Sequence, residues 1–265
     1  MSRSKDRRDI YYRLAKEQQF RARSAFKLIQ IDETFNCLSD VTRAVDLCAA
    51  PGSFSQVLSS RIPPSKDRRI VSVDLNEMAP IDGVQLLQGD ITCRSTALKV
   101  IELLDGHADF VCSDGAPDVS GLEQLDQYLQ NTLVIAALNI ATAVLRPKGT
   151  FVAKIFRGKA VSIMYSQLSV LFNTVHIVKP RSSRNSSLEA FVVCLDFNPP
   201  HGYMSPLLSG EEVEMPTETS KLLPLLKCGD LSSFDSNMSY EVESDEVLPP
   251  VQPPISAPYT DILKN

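Results

Sequence analysis

The six cysteines of this 265-residue chain form no C-x-x-C pair, and no histidine stands near them in a zinc-binding pattern. That removes the usual metal-ribbon and dithiol redox readings, and no metal site is expected. Most of the cysteines lie in apolar runs, where a free thiol acts as a small hydrophobe. No apolar run approaches the roughly 20 residues a membrane-spanning helix needs. The start, MSRSKDRRD, has no apolar stretch of the kind a secretory signal carries. A soluble protein of a reducing compartment, cytoplasmic, is therefore expected. There is no internal repeat and no G-x-G-x-x-G, so the simplest dinucleotide-binding reading also falls away.

An excess of basic charge is missing too: the net charge is −5. Its distribution alters what that means. From Asn198 on, 3 basic residues face 11 acidic ones, which leaves the first 197 residues at +3. Met1–Gln30 alone holds 9 basic and 3 acidic residues. A basic arm on a mildly basic domain suits an RNA partner better than the average charge does. Candidate phosphate contacts are Arg3, Lys5, Arg7, Arg8, Arg13, Arg21, Arg23, Lys179, Arg181 and Arg184, with Tyr11, Tyr12 and Phe20 placed to stack on bases. A charged, solvated helix is the bland alternative for the arm.

Up to about residue 197 the pattern alternates. Helices are predicted over Asp9–Gln19, Ser24–Phe35 with Ser24 as N-cap, from Ser53, and over Ser95–Leu104, Gln124–Leu145 and Val161–Phe172. Strand-like runs cover Ala44–Cys48, Ile70–Asp74, Val84–Leu87, Phe110–Ser113, Phe151–Phe156, Val175–Lys179 and Ala190–Phe197. This predicts an α/β, Rossmann-like, mostly parallel seven-stranded sheet with helices on both faces. Only KPRSSRNSSLE separates the last two runs, too short for a crossover helix, so the last strand should be antiparallel. Residues 1–197 read as one domain with a basic N-terminal helical arm. Residues 198–265, with 10 of the 17 prolines, read as an acidic, Pro/Ser-rich, disordered tail whose short apolar piece Lys221–Leu226 could dock on a partner.

In open α/β sheets, ligands bind beyond the carboxyl ends of the strands. Four acids stand at or just past the first four strand ends: Asp46, Asp74, Asp90 and Asp114. Singly, each is more often a turn or cap residue. Together, beside the turn Ala49-Ala50-Pro51-Gly52-Ser53-Phe54, they suggest a ligand with a ribose, an adenine and a positive charge but no phosphate. S-adenosyl-L-methionine has that chemistry. Asp74 would take the ribose hydroxyls and Asp90 the adenine amino group. Lys154 interrupts the apolar strand Phe151–Phe156, where an unpartnered charge is costly. It is the candidate proton acceptor for a hydroxyl attacking a sulfonium methyl, although a lone strand lysine can also simply snorkel. Lys27 and Glu189 taken singly read as surface residues.

The stretches RARSAFKL, DLCAAPGSFSQVL, SVDLNEMAPIDGV, QGDIT, CSDGAPDVSGLEQLDQY, GTFVAKIFRG and KPRSSRNSSLEAFVVC together resemble the FtsJ/RrmJ-like family of ribose 2′-O-methyltransferases, and within it the Trm7-type tRNA enzymes. The resemblance spans roughly three-quarters of the chain. It implies a tRNA (ribose-2′-O-)-methyltransferase acting at anticodon-loop positions 32, 34 or both. A Lys-Asp-Lys-Glu tetrad would fall on Lys27, Asp114, Lys154 and Glu189, with Lys154 as base. Cofactor contacts would fall on Gly52, Phe54, Asp74, Asp90 and Asp114. It also implies a WD-repeat or helical-repeat partner protein that selects the position. The family usually has tryptophan where this chain has Phe54, so an aromatic remains but some packing is lost. Two alternatives stay open: the same chemistry on ribosomal RNA or an mRNA cap, and a catalytically silent RNA-binding subunit.

Overall fold

A computed structural model describes residues 9–117, 120–158, 161–205, 207, 225–230, 232–240 and 251. Two short helices come first, α1 (Ile10–Glu17) and α2 (Ala25–Phe35). Strand and helix then alternate: β1 (Arg43–Leu47), α3 (Ser53–Arg61), β2 (Arg69–Asp74), β3 (Gln85–Gln88), α4 (Arg94–Leu104), β4 (Ala108–Ser113), α5 (Glu123–Val144), β5 (Leu145–Phe156), α6 (Val161–Leu171), β6 (Phe172–Pro180) and β7 (Glu189–Phe197). Each falls within a few residues of its predicted run, except that β5 starts at Leu145 rather than Phe151. The chain also adds β8 (Leu225–Cys228).

The strands form one sheet in the order β3-β2-β1-β4-β5-β7-β6-β8. β1 to β5 pair in parallel, β7 lies antiparallel to both β5 and β6, and β8 runs parallel to β6. The doubly wound, mostly parallel fold with its antiparallel hairpin is as expected. The sheet extends past residue 197: β8 comes from the proline-rich stretch and covers the free edge of β6, an edge that would otherwise offer unpaired backbone groups. The apolar piece Lys221–Leu226 thus ends on the chain's own sheet; its residues 221–224 lie outside the described residues.

Strand parity divides the core in two. Val45, Leu47, Val111, Phe151, Ala153 and Ile155 face α4, α5 and α6. Ala44, Phe110, Cys112, Val152, Phe191 and Val193 face α2 and α3. On that second face, positions two residues further along the same strands are Asp114, Lys154 and, from β7, Glu189. α2 is the helix laid over them. Its residues Ala25, Leu28 and Ile31 are fully buried, so packing this helix on the sheet carries Lys27 down to the strand ends. Ser24, expected as an N-cap, is itself helical and makes no capping bond, whereas Asp9 caps α1 by accepting from the backbone N–H groups of Tyr11 and Tyr12. Among the described residues no helix is long and apolar enough to cross a membrane.

Phe110 is fully buried in the second core. Phe110→Ala is expected to cost about 3–5 kcal/mol, read as a lower urea midpoint with unchanged slope. A loss under about 1 kcal/mol would contradict this packing.

Candidate active site

Lys27, Asp114, Lys154 and Glu189 meet. The Lys27 ammonium donates to Glu189 Oε2 at 2.8 Å and lies 3.3 Å and 3.4 Å from the two Asp114 carboxylate oxygens. It also sits 5.6 Å from the centre of the Phe191 ring, whose π face attracts a cation. Lys154 Nζ donates to the Asp114 backbone carbonyl at 2.9 Å and lies 3.3 Å from Asp114 Oδ1. Both lysines are buried. Two cations and two carboxylates make the group formally neutral, so the cost of removing each charge from water is met by a partner.

The charge states follow from these contacts. Burial alone would lower the Lys27 pKa, but the carboxylates of Asp114 and Glu189 outweigh it, and the net effect holds Lys27 above the ordinary lysine value. Burial would raise Glu189, but Lys27 and Lys154 together with hydrogen bonds pull it down to about 2. Its Oε1 accepts from Ser183 Oγ at 2.6 Å, and its backbone carbonyl accepts from Lys179 Nζ at 2.9 Å. Ser183 and Lys179 therefore support the cluster. Sequence reasoning missed Ser183, and the run of serines after Arg181 was its only signal.

The second half of the cleft lies past β1, β2 and β3. Gly52 has φ +106°, in the left-handed region. A Cβ there would stand 2.7 Å from Ile81 Cδ1 and 2.9 Å from Arg21 Nη1. Arg21 donates to the carbonyls of Pro51, Ala79 and Pro80, tying the loops after β1 and β2 together. Asp74 accepts from the Ala50 and Asn76 backbone N–H groups at 2.8 Å each, one on each oxygen. Asp90 accepts from Thr92 N–H and Oγ on a single oxygen, Oδ1. Ser53 Oγ, at the start of α3, is buried and has no partner among the described residues. Where the strand order reverses, the loops after β1 and β4 pass so closely that a Cβ on Gly115 would lie 2.8 Å from Cys48 Sγ.

Two of the expected site features sit differently. Asp46 does not face the cleft: it is 1% exposed, accepts from Ser55 Oγ at 2.6 Å, and burial pushes its carboxyl up to about 7. The Phe54 ring is buried, stacked 6.3 Å from Phe191 in the second core. Several presumed RNA contacts are also internal. Lys179 is 4% exposed and donates to Ser187 and Glu189. Arg23 pairs with Asp9 and reaches the Ser182 carbonyl. Tyr11 is buried, its hydroxyl donating to the Phe234 carbonyl, and Arg181 pairs with Asp235 at 3.6 Å. Arg184 remains half exposed. Arg3, Lys5, Arg7 and Arg8 lie outside the described residues.

The FtsJ-like methyltransferase pattern matches residues 20–197, which hold all four members of the cluster and every strand-end acid. The chain belongs to the FtsJ-like methyltransferase family. The match leaves out α1 and β8. The chain is 53% identical to human tRNA (cytidine(32)/guanosine(34)-2′-O)-methyltransferase over 97% of this chain and 83% of that protein. It is 46% identical to the Drosophila melanogaster tRNA (guanosine(34)-2′-O)-methyltransferase over 99% and 87%. Among solved structures, a provisionally assigned ribosomal RNA methyltransferase of Plasmodium falciparum superposes with a TM-score of 0.59 at 26% identity, over 67% of this chain and 98% of that one. FtsJ-like enzymes take their methyl group from S-adenosylmethionine. The residues here fit that group: acids at the end of β2 and past β3, and a buried hydroxyl with no partner among the described residues beside a glycine turn at a helix start.

A depressed carboxylate pKa stabilises the fold above the unfolded value of 4.5 and loses that contribution as pH falls toward 2. Glu189→Gln should therefore flatten the decline of unfolding free energy between about pH 4.5 and 2. An unaltered acid limb in denaturant titrations would show that Glu189 does not hold Lys27.

Proposed function

We propose that this chain is an S-adenosylmethionine-dependent tRNA ribose 2′-O-methyltransferase acting on anticodon-loop nucleotide 32, 34 or both. The observation that carries the reading is the unequal treatment of the cluster's two lysines, Lys27 of α2 and Lys154 of β5. Lys27 touches two carboxylates and is held as a fixed cation. Lys154 touches one carboxylate and a carbonyl oxygen. Of the two, Lys154 has the fewer carboxylate partners, and it is the proton acceptor.

S-adenosylmethionine, when bound, supplies a methyl group on a positively charged sulfur. Asp74 and Asp90 each keep acceptor capacity for the ribose hydroxyls and the adenine amino group, beside the Gly52 turn. The Phe54 ring lies in the core, so its contribution to the cofactor site is its backbone in the first turn of α3, where N–H groups have no helical partner. With the cofactor bound, Lys154, once its own ammonium proton has passed to water, would accept the proton of the 2′-hydroxyl that takes the methyl group. Asp114 fixes the direction of Lys154. Lys27 and Glu189 hold Asp114 in place. A correctly placed base of this kind contributes about 10²–10⁴-fold.

Residues 1–197 act as the methyltransferase unit, with the basic arm and Arg184 for tRNA phosphates. Position choice falls to a partner protein of the WD-repeat or helical-repeat kind, in the cytoplasm, where the chain's six free cysteines stay reduced.

The test is transfer of labelled methyl from S-adenosylmethionine to unmodified tRNA, with the 2′-O-methyl sites mapped, with and without each kind of partner. Label at 32 or 34 is expected, with the position set by the partner. Label on ribosomal RNA or cap structures alone would overturn the tRNA reading.

A further inference from the structure

One buried amide ties the two halves of the reacting cluster together from the opposite face of the sheet. Gln130 of α5 is 1% exposed. Its Nε2 donates to the Lys154 carbonyl at 2.8 Å and to the Gly115 carbonyl at 3.0 Å. The place matters. The parallel β4–β5 ladder ends at Ser113 and Ala153. One residue further, β4 turns away through Asp114 and Gly115 while β5 runs on to Phe156. The two hydrogens of a single –NH₂ group serve the two carbonyls left where the strands part. Gln130 Oε1 is buried with no partner among the described residues. A buried acceptor left unbonded costs stability, so a space-filling role would be better served by an apolar side chain.

We propose that Gln130 is a positioning residue for methyl transfer: it clamps the Lys154 backbone to the Asp114–Gly115 turn and so sets how Lys154 Nζ meets Asp114. The proposal deepens the methyltransferase reading and rests on it for its effect on rate. The clamp itself does not need that reading.

The test is Gln130→Met, which keeps bulk and removes the donor. Deuterium exchange of the segment around residues 112–117 should quicken about tenfold or more as the turn loosens, whatever the activity. In methyl transfer, kcat should fall about 10–100-fold, the cost of a roughly 1 Å misplacement, while KM for tRNA and the cofactor Kd stay within about twofold. Unchanged exchange overturns the clamp, even in an active enzyme. Faster exchange with unchanged kcat overturns the positioning role. Wild-type protein without methyl transfer to any RNA refutes the functional reading, and exchange still judges the clamp. Should the Met variant not fold, Gln130→Glu keeps length and shape. Protonated, its carboxyl can still donate one bond; ionised, it can donate none. Its kcat relative to wild type should fall as pH rises, and a ratio flat with pH overturns the proposal.

Discussion

Two lysine ammonium groups directed at one carboxylate repel each other, and neither is well hydrated. Such an arrangement stands only where negative charge and fixed donors compensate it from several sides. Asp114 is the point of that balance. Its side chain faces Lys27 and Lys154, and its backbone carbonyl takes a second bond from Lys154. Glu189 neutralises the second cation and is itself held by Ser183 and Lys179. The four residues come from a helix, a strand end, a strand interior and a strand start. The rest of the fold can be read as what keeps those four segments in register.

The sheet performs that task through parity. Cys112 and Asp114, Val152 and Lys154, and Phe191 and Glu189 are pairs two residues apart, so each polar residue continues a buried apolar row on the same face. Lys154 and Phe191 are register partners across β5 and β7. The half of the cleft past β1 to β3 and the half that holds the lysine–carboxylate cluster, by β4, β5 and the start of β7, meet at the reversal of strand order, where Cys48 touches Gly115. The contact is close enough that only glycine fits.

Much of this was legible in the sequence, for definable reasons. Alternating apolar periods located the strands and helices because the core is buried on both faces of the sheet. Lys154 stood out because a charge inside the run Phe151–Phe156 breaks a strong pattern. Lys27 and Glu189 carried no such contrast; only their place in the family motif singled them out. Asp46 was misplaced for a physical reason: a strand-end acid and a strand-interior acid look alike until the Ser55 hydroxyl is seen beneath it. Arg23, Arg181 and Lys179 look like RNA contacts in the sequence because charge patterns do not reveal local partners such as Asp9, Asp235 and Ser187. β8 was hidden because four residues among prolines and acids give too short a period to recognise.

The central claim is that Lys154 accepts the proton and that the cofactor site is built elsewhere. Its most direct measurement is single-turnover methyl transfer by Lys154→Ala, beside cofactor affinity by calorimetry. The account predicts a rate lower by about 10²-fold or more, with the cofactor Kd within about threefold of wild type, since of the expected cofactor contacts only Asp114 is bonded to Lys154, and Asp114 keeps Lys27 in the variant. Full or near-full activity in that variant would contradict it.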